Sequence, residues 1–198
     1  MKRVFTAAVF ASLMITQGAN AAALTPEAVY IRDCLTEAGN AYREPPAVLV
    51  ILLNVEGGRL GETSANTNGT VDIGPMQVND TWLPKLAGHW ATTPRAAYLA
   101  LRDNFCANIE AGAWILRMGL DEAHGDFWEG VGFYHSHDPD YKRTYLSAVL
   151  KQALRLQAQA HAGKAQISPH VTSGMPVSGE PATPVITSAQ TAVSEANR

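Results

Sequence analysis

The chain has 198 residues, 46% of them hydrophobic and 17% charged, with a formal net charge of −3, so it carries apolar material for a buried core and too little charge to stay solvated and unfolded. No basic run offers a track for a phosphate backbone, which argues against nucleic acid as a direct partner. The mildly acidic balance leaves an anionic wall polymer open, because binding one depends on the local cleft rather than on net charge.

Met1-Lys2-Arg3 is a short basic start, Val4 to Ile15 is apolar, and Ala19-Asn20-Ala21 supplies the small residues a signal peptidase accepts. The apolar run falls short of the roughly 20 residues that span a bilayer, so residues 1–21 read as a cleaved secretory signal and the mature protein as periplasmic. Loss of Lys2 and Arg3 takes the formal charge from −3 to −5.

Beyond the signal, apolar residues recur at helical spacing almost throughout. Pro26 to Tyr42 carries Val29, Tyr30, Leu35 and Ala38 at successive turns, and Pro46 opens a second helix, PAVLVILLNVE, that ends at Glu56 before Gly57-Gly58. That second helix is apolar on every face, which predicts a central position surrounded by other helices. Strand signals are weak and confined to 60–73, where Asn68-Gly69 can turn a short hairpin. Thr93-Pro94 reads as the cap and first turn of a helix through Leu101, and 104–120 as another with Cys106, Ile109, Ala113 and Leu116 on one side. A helix follows within 125–136, and Asp138-Pro139 starts a last one with Tyr141, Tyr145, Ala148, Val149 and Leu156 at helical spacing.

The prediction is a mainly α domain from about 24 to 160. It is a helical bundle around a central buried helix, with a small loop or hairpin lobe. From 163 to 198 Ser, Thr, Pro and Ala dominate and Pro169, Pro176, Pro181 and Pro184 interrupt any helix, so this tail reads as disordered. It is either a solvated extension or a docking segment for a partner.

Cys34 and Cys106 are the only cysteines, and in an exported chain they are expected to be bridged. The alternative is two buried free thiols. Neither lies at zinc-ligand spacing from another Cys or a His.

The residues with chemistry to offer begin at Glu56. A glycosidic oxygen leaves only once protonated, which calls for a carboxylic acid still protonated near neutral pH, and an apolar setting supplies one by disfavouring the charged form. Glu56 follows Val50 to Leu53 and Val55. Asp72 and the Gln77/Asn79 pair come after it in the stretch NTNGTVDIGPMQVN. The glycine pair lets the backbone turn sharply and approach a ligand, and this arrangement points to a cleft that cuts sugars.

The order of Glu56, N-x-N-G-T-x-D-x-G-x-M-Q-x-N, C-x-N-I-x-x-G-A-x-I-L and a Tyr-bearing helix resembles the lysozyme-like superfamily. It is most similar to the small secreted lytic transglycosylases that accompany conjugation and type III or type IV secretion machines. The resemblance covers roughly 30–150 and implies an α+β lysozyme-like fold. It also implies that Glu56 is the general acid and base, that Gly74 to Gln77 lines the sugar cleft, that Tyr134 lies near the acid, and that Cys34 and Cys106 are paired. Asp72, Met76, Gln77, Asn79 and Tyr134 are then the expected substrate-binding residues, peptidoglycan glycan strands the partner, and no metal or other cofactor is called for. Envelope-spanning conjugation or secretion proteins are further candidate partners, reached through the tail. Three positions depart from the family pattern: Gly57 stands where Ser is usual, Pro75 where Leu is usual, and His135 where Asn usually follows the Tyr.

Asp72 leaves the reaction open. NTNGTVDIG also resembles animal c-type lysozymes, in which the matching Asp is the second carboxylate of a retaining hydrolase. In transglycosylases the sugar's own N-acetyl group and 6-hydroxyl take over, and Glu56 would leave a 1,6-anhydro end. Asp72 could equally be a turn residue accepting backbone N–H groups. A wall-binding assembly factor that recruits without cutting is the alternative from another class. The run His135-Ser136-His137-Asp138 reads as a solvated helix end rather than a metal site or a hydrolase nucleophile. Of the tryptophans, Trp114 reads as core, while Trp82 and Trp90 could stack on sugars or pack.

Overall fold

The computed structural model describes residues 24–161; the signal sequence and the tail expected at either end lie outside the described residues. The chain is mainly α with a small sheet: α1 (Pro26–Tyr42), α2 (Pro46–Glu56), β1 (Thr63–Ala65), β2 (Val71–Ile73), β3 (Val78–Asn79), a 3-10 turn (Asp80–Trp82), α3 (Leu83–His89), α4 (Pro94–Asp103), α5 (Phe105–Glu122), α6 (Phe127–His135) and α7 (Pro139–His161). No helix among the described residues is long and apolar enough to cross a membrane.

The helix starts follow local chemistry. Thr25, Thr93, Asn104 and Asp126 each accept a hydrogen bond from a first-turn backbone N–H of α1, α4, α5 and α6, and proline occupies the first turn of α1 and α4. The three strands form an antiparallel sheet in the order β1-β2-β3, with Ser64 opposite Asp72 and Asp72 opposite Asn79. The Asn68-Gly69 turn joins β1 to β2 as expected. Thr70 donates from its backbone N–H and its hydroxyl to the Asn68 side chain and accepts from Asn66 Nδ2. The third strand, the 3-10 turn and α3 had no clear signal in the sequence.

The central helix is α5, not α2. Ten of its positions are buried, whereas α2 fully buries Leu49, Leu52 and Leu53 and leaves Val50, Ile51 and Val55 half-buried. Small residues decide this. A Cβ on Gly119 would lie 2.7 Å from the Gly130 carbonyl oxygen, and one on Gly130 would lie 2.6 Å from the Leu120 Cα, so α5 and α6 meet backbone to backbone. An apolar run advertises burial, but close approach needs small side chains, and the only one in α2 is Ala47, exposed near its start. On α7, Tyr145 and Val149 are buried and Leu156 is partly so, while Tyr141 and Ala148 face solvent.

Cys34 of α1 and Cys106 of α5 form a disulfide, with Cα atoms 5.0 Å apart. Asn108, fully buried on α5, ties the sheet lobe to the bundle. Its Nδ2 donates to the carbonyls of Ile73 (2.9 Å) and Leu101 (3.0 Å), and its Oδ1 accepts from Met76 N–H (2.7 Å). One buried side chain thus bonds three backbone groups of the junction.

Candidate active site

Glu56 is the last residue of α2, and Gly57 caps that helix in the left-handed conformation (φ 61°), its N–H bonded to the Leu53 carbonyl. A left-handed cap favours glycine over serine, which gives the departure at position 57 a backbone reason. At the next position a Cβ would lie 2.1 Å from the Gly74 carbonyl oxygen and 2.4 Å from Gln77 Nε2, so only glycine lets the end of α2 lie against the 74–77 turn. The backbone that follows the acid is therefore packed against the G-P-M-Q segment at Gly58.

The Glu56 carboxyl is hydrogen-bonded by Tyr145 of α7, whose hydroxyl donates to Oε1 at 2.6 Å. The carboxyl is raised to about 7: burial pushes it up most, the Tyr145 bond pulls it down, and the negative charge of Asp72 adds to the rise. The free carbonyls at the end of α2 act in the same direction as burial. Burial, followed by Glu56, also holds the Tyr145 phenol far above its ordinary range, so it stays a donor. A carboxyl raised into the neutral range, fixed by a neutral donor, retains a proton to deliver to a leaving oxygen.

Asp72 lies in strand β2 rather than in a turn, and its Oδ1 accepts from the Asn79 side chain at 2.8 Å. Asn79 also donates to Thr70 Oγ1 (2.9 Å) and caps the 3-10 turn through Thr81 N–H (3.1 Å), so it holds Asp72 in place. Tyr134 of α6 donates to the Met76 carbonyl at 2.9 Å. Burial, then Glu56, then Asp72 raise its phenol well above the usual value, which puts all three groups within one electrostatic neighbourhood. Met76 itself is fully buried and packs on Gly112, so its side chain is core and only its backbone faces Tyr134. Gln77 sits at φ 47° with its Nε2 donating to the Gly74 carbonyl at 2.9 Å, shaping the turn beside the acid.

One neighbour of the acid escapes the sequence reading: Tyr145 reads there as one helical position among several, beside Tyr141, Val149 and Leu156. His135, exposed at the end of α6, lies flat on the Tyr145 ring with centroids 4.6 Å apart and planes 5° apart. Burial lowers its basicity and Asp72 raises it. The other half of the HSHD run faces elsewhere, with His137 stacked on Phe133 and 2.9 Å from Glu122.

Among the tryptophans, Trp114 is partly buried, with His89 stacked on it at 4.6 Å and Trp82 edge-on at 5.9 Å. Trp90 donates from its indole N–H to Glu110 Oε2 at 2.6 Å, and Glu110 also receives the Tyr42 hydroxyl. That carboxylate fastens α1, the segment after α3, and α5 together.

No protein-family profile matches the chain. The chain is similar to Protein IpgF of Shigella flexneri, with 26% identity over 133 residues that span 65% of this chain and 84% of that protein.

Proposed function

We propose that this protein is a peptidoglycan lytic transglycosylase that cleaves the β-1,4 bond between N-acetylmuramic acid and N-acetylglucosamine and opens the wall locally in the periplasm. The observation that carries this reading is the Glu56–Tyr145 pair, an acid whose titration burial raises into the neutral range and which a phenol donor fixes. In the first step Glu56 gives its proton to the glycosidic oxygen as the C1–O bond breaks. The developing positive charge at C1 is met by the substrate's own acetamido oxygen. In the second step the Glu56 carboxylate takes the proton of the muramic 6-hydroxyl while that oxygen bonds to C1, which restores the acid and leaves a 1,6-anhydro end. No water is consumed.

Lysozyme-type hydrolysis is a second reading, favoured by one observation: Asp72 is close enough to Glu56 and Tyr134 to shift both. The tie from Asn79 supports Asp72 as a fixed source of negative field, with Asn79 and Gln77 shaping the wall where the glycan lies. A link to a conjugation or secretion apparatus rests on the resemblance of the motifs and extends the proposal to envelope-spanning partners. Incubation of purified sacculi with the wild type and with Glu56→Gln tests the activity: soluble muropeptides from the first and none from the second are expected. An inactive wild type would instead favour a wall-binding factor that recruits without cutting.

A further inference from the structure

Of the seven exposed large apolar side chains among the described residues, five lie on the last two helices: Phe127 and Trp128 on α6, and Tyr141, Leu150 and Leu154 on α7. Trp128, Pro139, Leu146 and Leu150 line a groove of about 360 Å3 on this side of the molecule. Trp128 is 47%, Leu150 48% and Leu154 56% exposed, an apolar surface that a soluble domain keeps covered or uses.

The charge beside the groove is specific. Leu146, Leu150 and Leu154 recur every four residues as one ridge of α7, and Arg143, Ser147, Lys151 and Arg155 form the ridge next to it. The helix carries four basic side chains and one acidic one, in a chain whose formal charge is −3. Arg143 pairs with Asp140 at 2.7 Å, but Lys151 and Arg155 have no carboxylate partner among the described residues. The surface therefore fits an apolar segment with an acidic residue beside it. A second copy of this face would set one basic ridge against another, and a flat bilayer would leave the groove unfilled.

The chain itself contains such a segment. Residues 180–186 read EPATPVI: an acid, two prolines three positions apart, and two β-branched apolar residues. Proline fixes φ near −65°, and P-x-x-P spacing is what aromatic-lined grooves receive at low entropic cost. The connection reaches. The 19 positions from His161 to Glu180 span up to about 60 Å when extended, and the helix from His161 back to Lys142 is only about 29 Å long.

We infer that the groove bounded by Trp128 and Leu150 is the docking site of the chain's own segment 180–186, with its prolines against Trp128, Val185 and Ile186 on the leucine ridge, and Glu180 beside the basic ridge. Because the segment is tethered, its local concentration is high and a weak contact suffices. Docking covers the apolar face within one molecule and leaves a partner that needs this face to compete with the tail.

Photocrosslinking of the full chain tests this. A benzoylphenylalanine placed at exposed Leu150, and in a second variant at exposed Leu154, is irradiated and the linked peptides are mapped. The expected result is links to 176–190 of the same chain, in a yield independent of protein concentration. That yield should fall at least about tenfold when Pro181→Gly and Ile186→Asp are combined, with the Cys34–Cys106 bridge still found by mapping. Links between two chains that grow with concentration would overturn the inference in favour of a second copy. Links to phosphatidylglycerol vesicles in place of the tail would overturn it in favour of a lipid surface, and a yield unmoved by the double variant would overturn it outright.

Discussion

The Tyr145 hydroxyl donates to Glu56 Oε1 at 2.6 Å across 89 positions of sequence, joining the last helix of the domain to the end of the second. The bond does two opposing things. It fixes the carboxyl in one orientation, and by favouring the charged form it moderates the rise that burial imposes.

Tyr145→Phe therefore has a signed outcome. Loss of the donor removes a lowering influence, so the Glu56 carboxyl rises further and the high-pH limb of kcat/KM moves to higher pH. The rate at its maximum falls about tenfold as one orienting hydrogen bond is lost. A limb moving to lower pH would contradict the assignment of Tyr145 as donor to this acid.

Glu56→Gln is expected to lower cleavage by at least about a hundredfold, the usual worth of a general acid. It should also stabilise the fold at high pH. A carboxyl raised to about 7 keeps its proton in the folded state while the unfolded chain releases it from the ordinary carboxylate range upward, so stability is intact below about 4.5 and lost as pH rises toward 7. The neutral amide escapes this cost, on the order of 3 kcal/mol above pH 7. Thermal unfolding of both proteins at pH 4 and pH 8 checks it: the variant should gain at pH 8 and not at pH 4.

Asp72→Asn separates the two reactions. With the acetamido group supplying the stabilising oxygen, the substitution should cost no more than about tenfold, the loss of a field source and an altered contact with Asn79. A covalent retaining hydrolase would lose orders of magnitude.

Asn108→Leu leaves the Met76 N–H and the Ile73 and Leu101 carbonyls buried without their partner, which should destabilise the protein by about 3 kcal/mol or more. Urea unfolding measures it. Replacing both cysteines by serine should cost about 2–5 kcal/mol, since the bridge closes a separation of 72 residues. Free thiols titrating in the oxidised wild type would contradict the bridge.

The helices of this fold were legible because their start signals are local: Pro26, Pro46, Thr93-Pro94 and Asp138-Pro139 announce their starts within four residues. The Asn68-Gly69 hairpin is local for the same reason. The rank of α2 against α5 was not, because hydrophobic content cannot report the close approaches at Gly112, Gly119 and Gly130, which depend on partners far along the chain. Nor could sequence spacing assign Tyr145, 89 positions from the carboxyl it serves, a role different from that of Val149 beside it. Asp72 was legible as a residue with chemistry, while its place in a strand beside Asn79 required the β2–β3 pairing, and a two-residue strand has no periodicity to read.

Mass spectrometry of the muropeptides that the wild type releases from purified sacculi decides whether Glu56 acts both as acid and as base on the same glycan. Fragments ending in 1,6-anhydro-N-acetylmuramic acid, lighter by one water than their reducing-end counterparts, are expected from the wild type and none from Glu56→Gln. Fragments with reducing ends, together with an inactive Asp72→Asn, would contradict that double role and make the enzyme a hydrolase.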